Sequence, residues 1–166
     1  MDRLTARSLR RHAGHEDGAQ GAALDHVTLD YEARFLRRRA LRTDGGREVM
    51  VDLAETVSLE DGDALETEAG LVGVIAAAEP LIEVRAAPCD LTRLAWHVGN
   101  RHAPAQIEAD RLLIREDAVL ADMLERLGAQ TRAVREPFRP EGGAYGLGRT
   151  HGHHHGGATD HPHHDH

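Results

Sequence analysis

The spacing of apolar side chains changes period near Pro80, and this change constrains the fold more than any other feature of the chain. Before it the period is two. Val27, Leu29, Tyr31, Ala33 and Phe35 alternate with Thr28, Asp30, Glu32 and Arg34, which predicts one half-buried strand with Arg34 on its solvent face. Asp44-Gly45-Gly46 marks a turn, after which Val49, Val51 and Leu53 resume the alternation. Asp61-Gly62-Asp63 marks a second turn, and Leu71 to Ala77 reads as a short apolar strand. Short strands separated by turns predict a small all-β unit ending near Glu79-Pro80. Residues 1–25 are polar and rich in Gly and Ala, and are expected to be only partly ordered.

Beyond Pro80 a helical period enters. Leu81 to Arg85 reads as a strand, and Asp90 as the N-cap of a helix whose apolar stripe is Leu91, Leu94, Ala95 and Val98. Gly99 is placed to end that helix in a left-handed cap. Ala105 to Ile107 and Leu112 to Ile114 follow as short strands. Asp117 caps a second helix with the stripe Leu120, Met123, Leu124 and Leu127, and Gly128 stops it. Gln130 to Arg135 is the last strand. The order βαββαβ is that of a ferredoxin-like domain. The expected class is therefore α+β: a small all-β domain over residues 1–79, a ferredoxin-like βαββαβ domain over 80–140, and a disordered, flexible His-rich tail over 141–166.

The tail carries chemistry rather than structure. Residues 151–166 read HGHHHGGATDHPHHDH and hold eight of the thirteen histidines: His151, His153, His154, His155, His161, His163, His164 and His166. Apart from Pro162, nothing there is more apolar than Ala158, so the segment cannot build a core. Neutral imidazole suits nickel, zinc and copper, and so dense a tract reads as metal-collecting. Gly, Asp and Pro interrupt it, unlike the unbroken run of an engineered tag.

Composition excludes several classes. The one cysteine, Cys89, rules out a disulfide framework, a thiolate zinc finger and an iron–sulfur site, and fits a reducing cytoplasm. A formal net charge of −8 disfavours nucleic acid as the main partner. No apolar run approaches the roughly 20 residues of a membrane span, and no apolar h-region follows the basic start MDRLTARSLRR, so neither a span nor a secretory signal is expected. All twenty basic residues are arginine. Arg34, Arg37, Arg38, Arg39, Arg42 and Arg47 cluster just before a stretch, Glu48 to Glu83, with ten carboxylates and no basic residue. That cluster reads as a charged strand face in water.

Between the first helix and the next strand lies Trp96-His97-Val98-Gly99-Asn100-Arg101-His102-Ala103-Pro104. Pro104 pushes Ala103 toward extended backbone, which puts His102 on a turn where its ring can project. An exposed histidine is ordinarily just solvated, and one imidazole holds a metal poorly. A two-fold dimer would supply a second His102. His97 lies off the stripe near the helix C-terminus, where its plainer role is an interaction with the helix dipole.

The run His97-Val98-Gly99-Asn100-Arg101-His102-Ala103-Pro104 resembles the HLGNRHxP motif of the UreE family of urease accessory proteins, which are nickel metallochaperones. The resemblance extends from about Val27 to the His-rich end. It takes in the acidic β module, Val119 to Gly128 (VLADMLERLG), and Pro137 to Tyr145 (PFRPEGGAY). It implies a homodimer with a peptide-binding-like β domain and a ferredoxin-like metal domain. It implies further that His102 is the interfacial nickel ligand, while the family's tail ligands carry over only loosely, to the histidines from His151 onward. The cargo would be Ni2+, with Zn2+ and Cu2+ as competing ions, delivered to the urease apoprotein with other accessory proteins, including a GTPase. The chain departs from the pattern at Arg115-Glu116-Asp117-Ala118, where some members carry further histidines. Metal capacity is thereby expected to rest on His102 and the tail. The alternative is a storage or detoxification protein with no delivery partner. An enzyme is not expected: there is no P-loop, dinucleotide fingerprint or nucleophile motif, and a hydrolase built on His97 and His102 lacks a carboxylate at a useful spacing.

Overall fold

The computed structural model describes residues 3–11 and 23–142. Six strands come first: β1 (Arg3–Arg10), β2 (Ala23–Leu29), β3 (Phe35–Arg42), β4 (Glu48–Ser58), β5 (Ala64–Thr67) and β6 (Gly70–Ala76). They form one sheet in the order β2-β6-β5-β1-β4-β3. Alternation makes β4 half-buried: Val49, Val51 and Leu53 enter the core while Met50 and Asp52 turn outward. Leu4, Ala6, Val27, Leu36, Leu41, Leu65, Val72 and Val74 complete that core.

Sequence reasoning missed one strand here and misread another. The first is the start of the chain: β1 is a central strand, parallel to β4 and antiparallel to β5. Its inward pair is only Leu4 and Ala6, and a bulge between Ala6 and Ser8 breaks the period before Leu9, so its pattern is short and diluted by arginines. The second is the strand from Val27 to Phe35, which is two strands joined by a turn. The Asp30 carboxylate accepts the Ala33 N–H at 2.8 Å, and the Asp30 carbonyl accepts the Arg34 N–H at 3.1 Å. This reversal turns Arg34 inward, where it is 2% exposed and not on a solvent face. Its guanidinium donates to the carbonyls of Leu29 at 3.1 Å and Phe138 at 2.6 Å.

The second half contributes β7 (Ala78–Arg85), α1 (Pro88–Asn100), β8 (Ala105–Ile107), β9 (Leu112–Arg115), α2 (Ala118–Arg126) and β10 (Gln130–Pro137). The four strands lie in the order β10-β7-β9-β8, and every neighbouring pair is antiparallel. Leu91, Leu94 and Val98 of α1 and Leu120 and Leu124 of α2 pack with Val84, Leu112 and Ile114 of the sheet. Asp117 caps α2 as expected, its carboxylate accepting the Leu120 N–H at 3.0 Å. Asp90 does not cap α1. The N-cap is Ala87 with Pro88 following, and Asp90 lies inside the first turn. Proline's fixed φ and missing N–H suit that first position, so the helix starts earlier than the carboxylate suggested.

The other face of the four-stranded sheet meets the six-stranded unit. Leu81, Leu113 and Val134 pack with Tyr31 and Phe138, whose rings meet edge-on with centroids 5.3 Å apart. Buried Glu79 accepts the Tyr31 N–H at 2.8 Å. Farther along this face, Glu83 pairs with Arg85, Arg111 and Arg132 at 2.9, 2.8 and 3.2 Å, and Arg111 also holds Glu136 and Glu108. Hydrogen bonds from Arg85 and then Arg111, with the charge of Arg132, hold the Glu83 pKa down to about 2 against the opposing effect of burial.

Candidate metal centre

His102 is exposed at the end of α1, and its backbone explains why it is fixed there. The helix runs one residue past Gly99, and Arg101 is the C-cap. The His102 N–H donates to the Gly99 carbonyl at 2.9 Å, and the Ala103 N–H donates to the Val98 carbonyl at 3.3 Å. This pair of bonds is a Schellman motif, with His102 at the position that requires left-handed backbone. Its φ is 56°, and it is the one non-glycine residue with positive φ among those described. Gly99 is therefore not the left-handed cap; the candidate ligand itself is. Ala103 packs against the helix core and closes the turn from below.

Trp96 is 64% exposed and meets the His97 ring edge-on at 5.1 Å. His97 sits in the last turn of α1, half-buried, as expected of a residue serving the helix end. It shares no ligand cluster with His102: among the described residues no three His, Cys, Asp or Glu side chains are grouped to hold a metal ion. His151, His153, His154, His155, His161, His163, His164 and His166 lie outside the described residues.

A strap after β10 was missed by sequence reasoning. Phe138, fully buried, anchors it on the open sheet face. The Arg139 side chain holds Asp61 at 2.8 Å and its N–H donates to the Gln106 side-chain oxygen at 2.8 Å. The Glu141 N–H then donates to the Ala105 carbonyl at 2.8 Å. The chain thus crosses from β10, one edge of the sheet, to β8, the other. It ends its described course beside Ala105, three residues after His102. Phe138 is one of only two phenylalanines in the chain, and that rarity was the signal available.

Comparison with known proteins agrees with the motif. The family model described as "UreE urease accessory protein, C-terminal domain" matches residues 79–166, and its N-terminal-domain counterpart matches residues 6–78. The chain belongs to the UreE urease accessory protein family. It is 56% identical to the urease accessory protein UreE of Ruegeria pomeroyi over 93% of this chain and 100% of that one. It is 56% identical to UreE of Rhodobacter capsulatus over 84% and 88%. With UreE of Paracoccus denitrificans the identity is 60% over 75% and 79%. Family membership gives the chain a role in urease maturation, as an accessory protein and not an enzyme. Among the described residues no helix is long and apolar enough to cross a membrane.

Proposed function

We propose that this UreE-family chain is a homodimeric nickel metallochaperone that delivers Ni2+ to the urease apoprotein. The observation that carries the reading is His102: an exposed imidazole on a left-handed turn, belonging to no group of three or more His, Cys, Asp or Glu side chains able to hold a metal ion among the described residues. A carrier must bind its ion and also release it, and a site short of four closing ligands leaves room for a receiving group. In this reading two copies of His102 face each other across a two-fold and hold one ion. Histidines of residues 151–166 complete the shell. The strap supports their part, because it leaves the chain beside β8. His151 follows Glu141 by ten residues, a contour length of at most about 35 Å.

Residues 80–140 are the metal domain in this reading, and their element and strand order fits a ferredoxin-like fold. Residues 1–79 are the peptide-binding-like domain that engages urease and the other accessory proteins, including the GTPase, and residues 141–166 form the metal-collecting tail. The cytoplasm is the compartment. Zn2+ and Cu2+ compete at the same donors, and the intrinsic affinity order favours copper, so nickel is selected by geometry or supply. Calorimetric titration of nickel into the wild type, His102→Ala and His97→Ala tests the assignment. The expected result is loss of the tightest binding event in His102→Ala alone. Wild-type affinity in His102→Ala with loss in His97→Ala refutes it.

A further inference from the structure

The Arg34 Nε–H is the one buried side-chain polar group without a hydrogen-bond partner among the described residues. Burial lowers the pKa of this guanidinium, against the opposing charges of Glu79, Asp61 and Asp30. A buried donor left without an acceptor is expensive, and in a folded chain it calls for an explanation. Of the two carbonyls that the guanidinium does reach, Leu29 belongs to its own unit and Phe138 belongs to the strap. The strap has no helix or strand from Phe138 to Gly142. Pro137 and Pro140 bracket Phe138 and Arg139, and each fixes its own φ and lacks an N–H, so the segment is stiff but weakly tied. On the six-stranded unit it is held by Phe138 against Tyr31, by the Arg34 bond and by the Arg139–Asp61 pair. Asp61 also accepts the Ala76 N–H at 2.8 Å, where β6 gives way to β7. On β8 the strap is held by the Arg139 N–H on the Gln106 side chain and the Glu141 N–H on the Ala105 carbonyl. One short segment thus joins the unit that carries Arg34 to the strand that leaves the His102 turn.

We propose that Phe138 to Glu141 form a two-position latch: closed, it seats Phe138 against Tyr31 and holds β8; open, it gives Arg34 to water and frees β8, so that binding on the six-stranded unit near Arg34 and Asp61 alters the His102 turn. Opposing forces meet in this one contact set. Closing buries the Phe138 ring, which apolar hydration favours. Opening hydrates a buried cation that lacks a full set of acceptors, which its charge favours. Terms of opposite sign on the same few side chains keep the two positions close in free energy, and an element with two close positions is what coupling between distant sites requires. The proposal rests on the reading of His102 as the nickel ligand and adds what controls it.

The test is amide hydrogen exchange resolved by NMR on the full chain, with a chelator present, for wild type and Arg139→Ala. The Arg139 side chain is 55% exposed, so its loss removes the Asp61 tie and leaves the core intact. In wild type the Arg139 and Glu141 amides are expected to exchange at one common rate, about a hundredfold or more faster than amides of the β7–β9 ladder. In Arg139→Ala they should exchange about threefold to tenfold faster still, the His102 and Ala103 amides should speed up with them, and the ladder should not change. Calorimetry of the same variant should then show the first nickel event weakened by about twofold to tenfold. Strap amides that exchange only at the ladder rate, or that ignore Arg139→Ala, overturn the latch. A strap that opens in Arg139→Ala while the His102 and Ala103 amides keep their wild-type rates overturns the coupling. Neither result touches the ligand assignment, because exchange is read without metal; a first nickel event that survives His102→Ala refutes that assignment and leaves the amide rates to decide the latch.

Discussion

Replacing His102 by glycine should stabilise the apo protein while destroying its tightest nickel site. The reference for the magnitude lies in the same chain. α2 ends in the motif that ends α1: the Gly128 N–H donates to the Glu125 carbonyl and the Ala129 N–H to the Leu124 carbonyl, both at 3.0 Å. There the left-handed position is Gly128, with φ 97°. At α1 the equivalent position is His102, which has a Cβ and hence a steric cost of about 1–2 kcal/mol. Glycine removes that cost but gives the unfolded chain about 0.5–1 kcal/mol of extra freedom. The net gain is about 0.5–1 kcal/mol, or about 1–4 °C in midpoint for a chain of this size. His102→Ala keeps the Cβ and should gain nothing. His102→Asn falls between, since asparagine tolerates this region. The assay is thermal unfolding of the three variants with a chelator present, paired with nickel calorimetry of each. An apo His102→Gly protein no more stable than His102→Ala refutes the argument that the ligand is held under strain.

Two further outcomes follow from the rest of the molecule. Ending the chain at Arg149 removes a segment with almost no apolar surface, so nickel capacity should fall in calorimetry while unfolding stays a single cooperative transition. Glu83 has a folded pKa of about 2 against an ordinary 4.5, so its ion pairs stabilise fully above about pH 4.5 and are lost as pH falls from there toward 2. Glu83→Gln should cost about 2 kcal/mol at neutral pH and flatten that acid slope in denaturant unfolding measured across the range.

The sequence carried the alternation of β4, the stripes of both helices and the Asp117 cap, because each is a local pattern repeated several times. It did not carry β1, where Leu4 and Ala6 are the only buried side chains, Leu9 joins them past a bulge, and the strand is recruited by its neighbours β4 and β5. The break at Asp30 was hidden for a different reason. The turn residues happen to alternate polar and apolar, and Tyr31 is indeed buried, but against Phe138 of the strap and not along the strand. Periodicity reports which side chains are buried; it does not report what buries them. The same limit applied at His102. The Gly-Asn-Arg-His run was legible as a site, but the obvious glycine drew the left-handed conformation onto itself in the reading. The hydrogen bonds that the Gly99 and Val98 carbonyls accept from the His102 and Ala103 N–H groups place it three residues later.

That displacement changes what the motif means. Strained backbone persists where the surroundings over-determine it, and such positions cluster at functional sites. Val98 buried in the core, Ala103 packed against it and the two capping hydrogen bonds hold the His102 backbone in the left-handed region. An imidazole so held loses little freedom on binding an ion, whereas a histidine on a glycine-rich segment loses much more. In the proposed carrier the two histidine populations divide the work by entropy rather than by chemistry. On that proposal His102 supplies affinity through a fixed backbone, and the eight histidines of residues 151–166 supply capacity through number. A carrier needs both, because an ion collected at many weak donors passes to one fixed pair only if that pair costs less to organise.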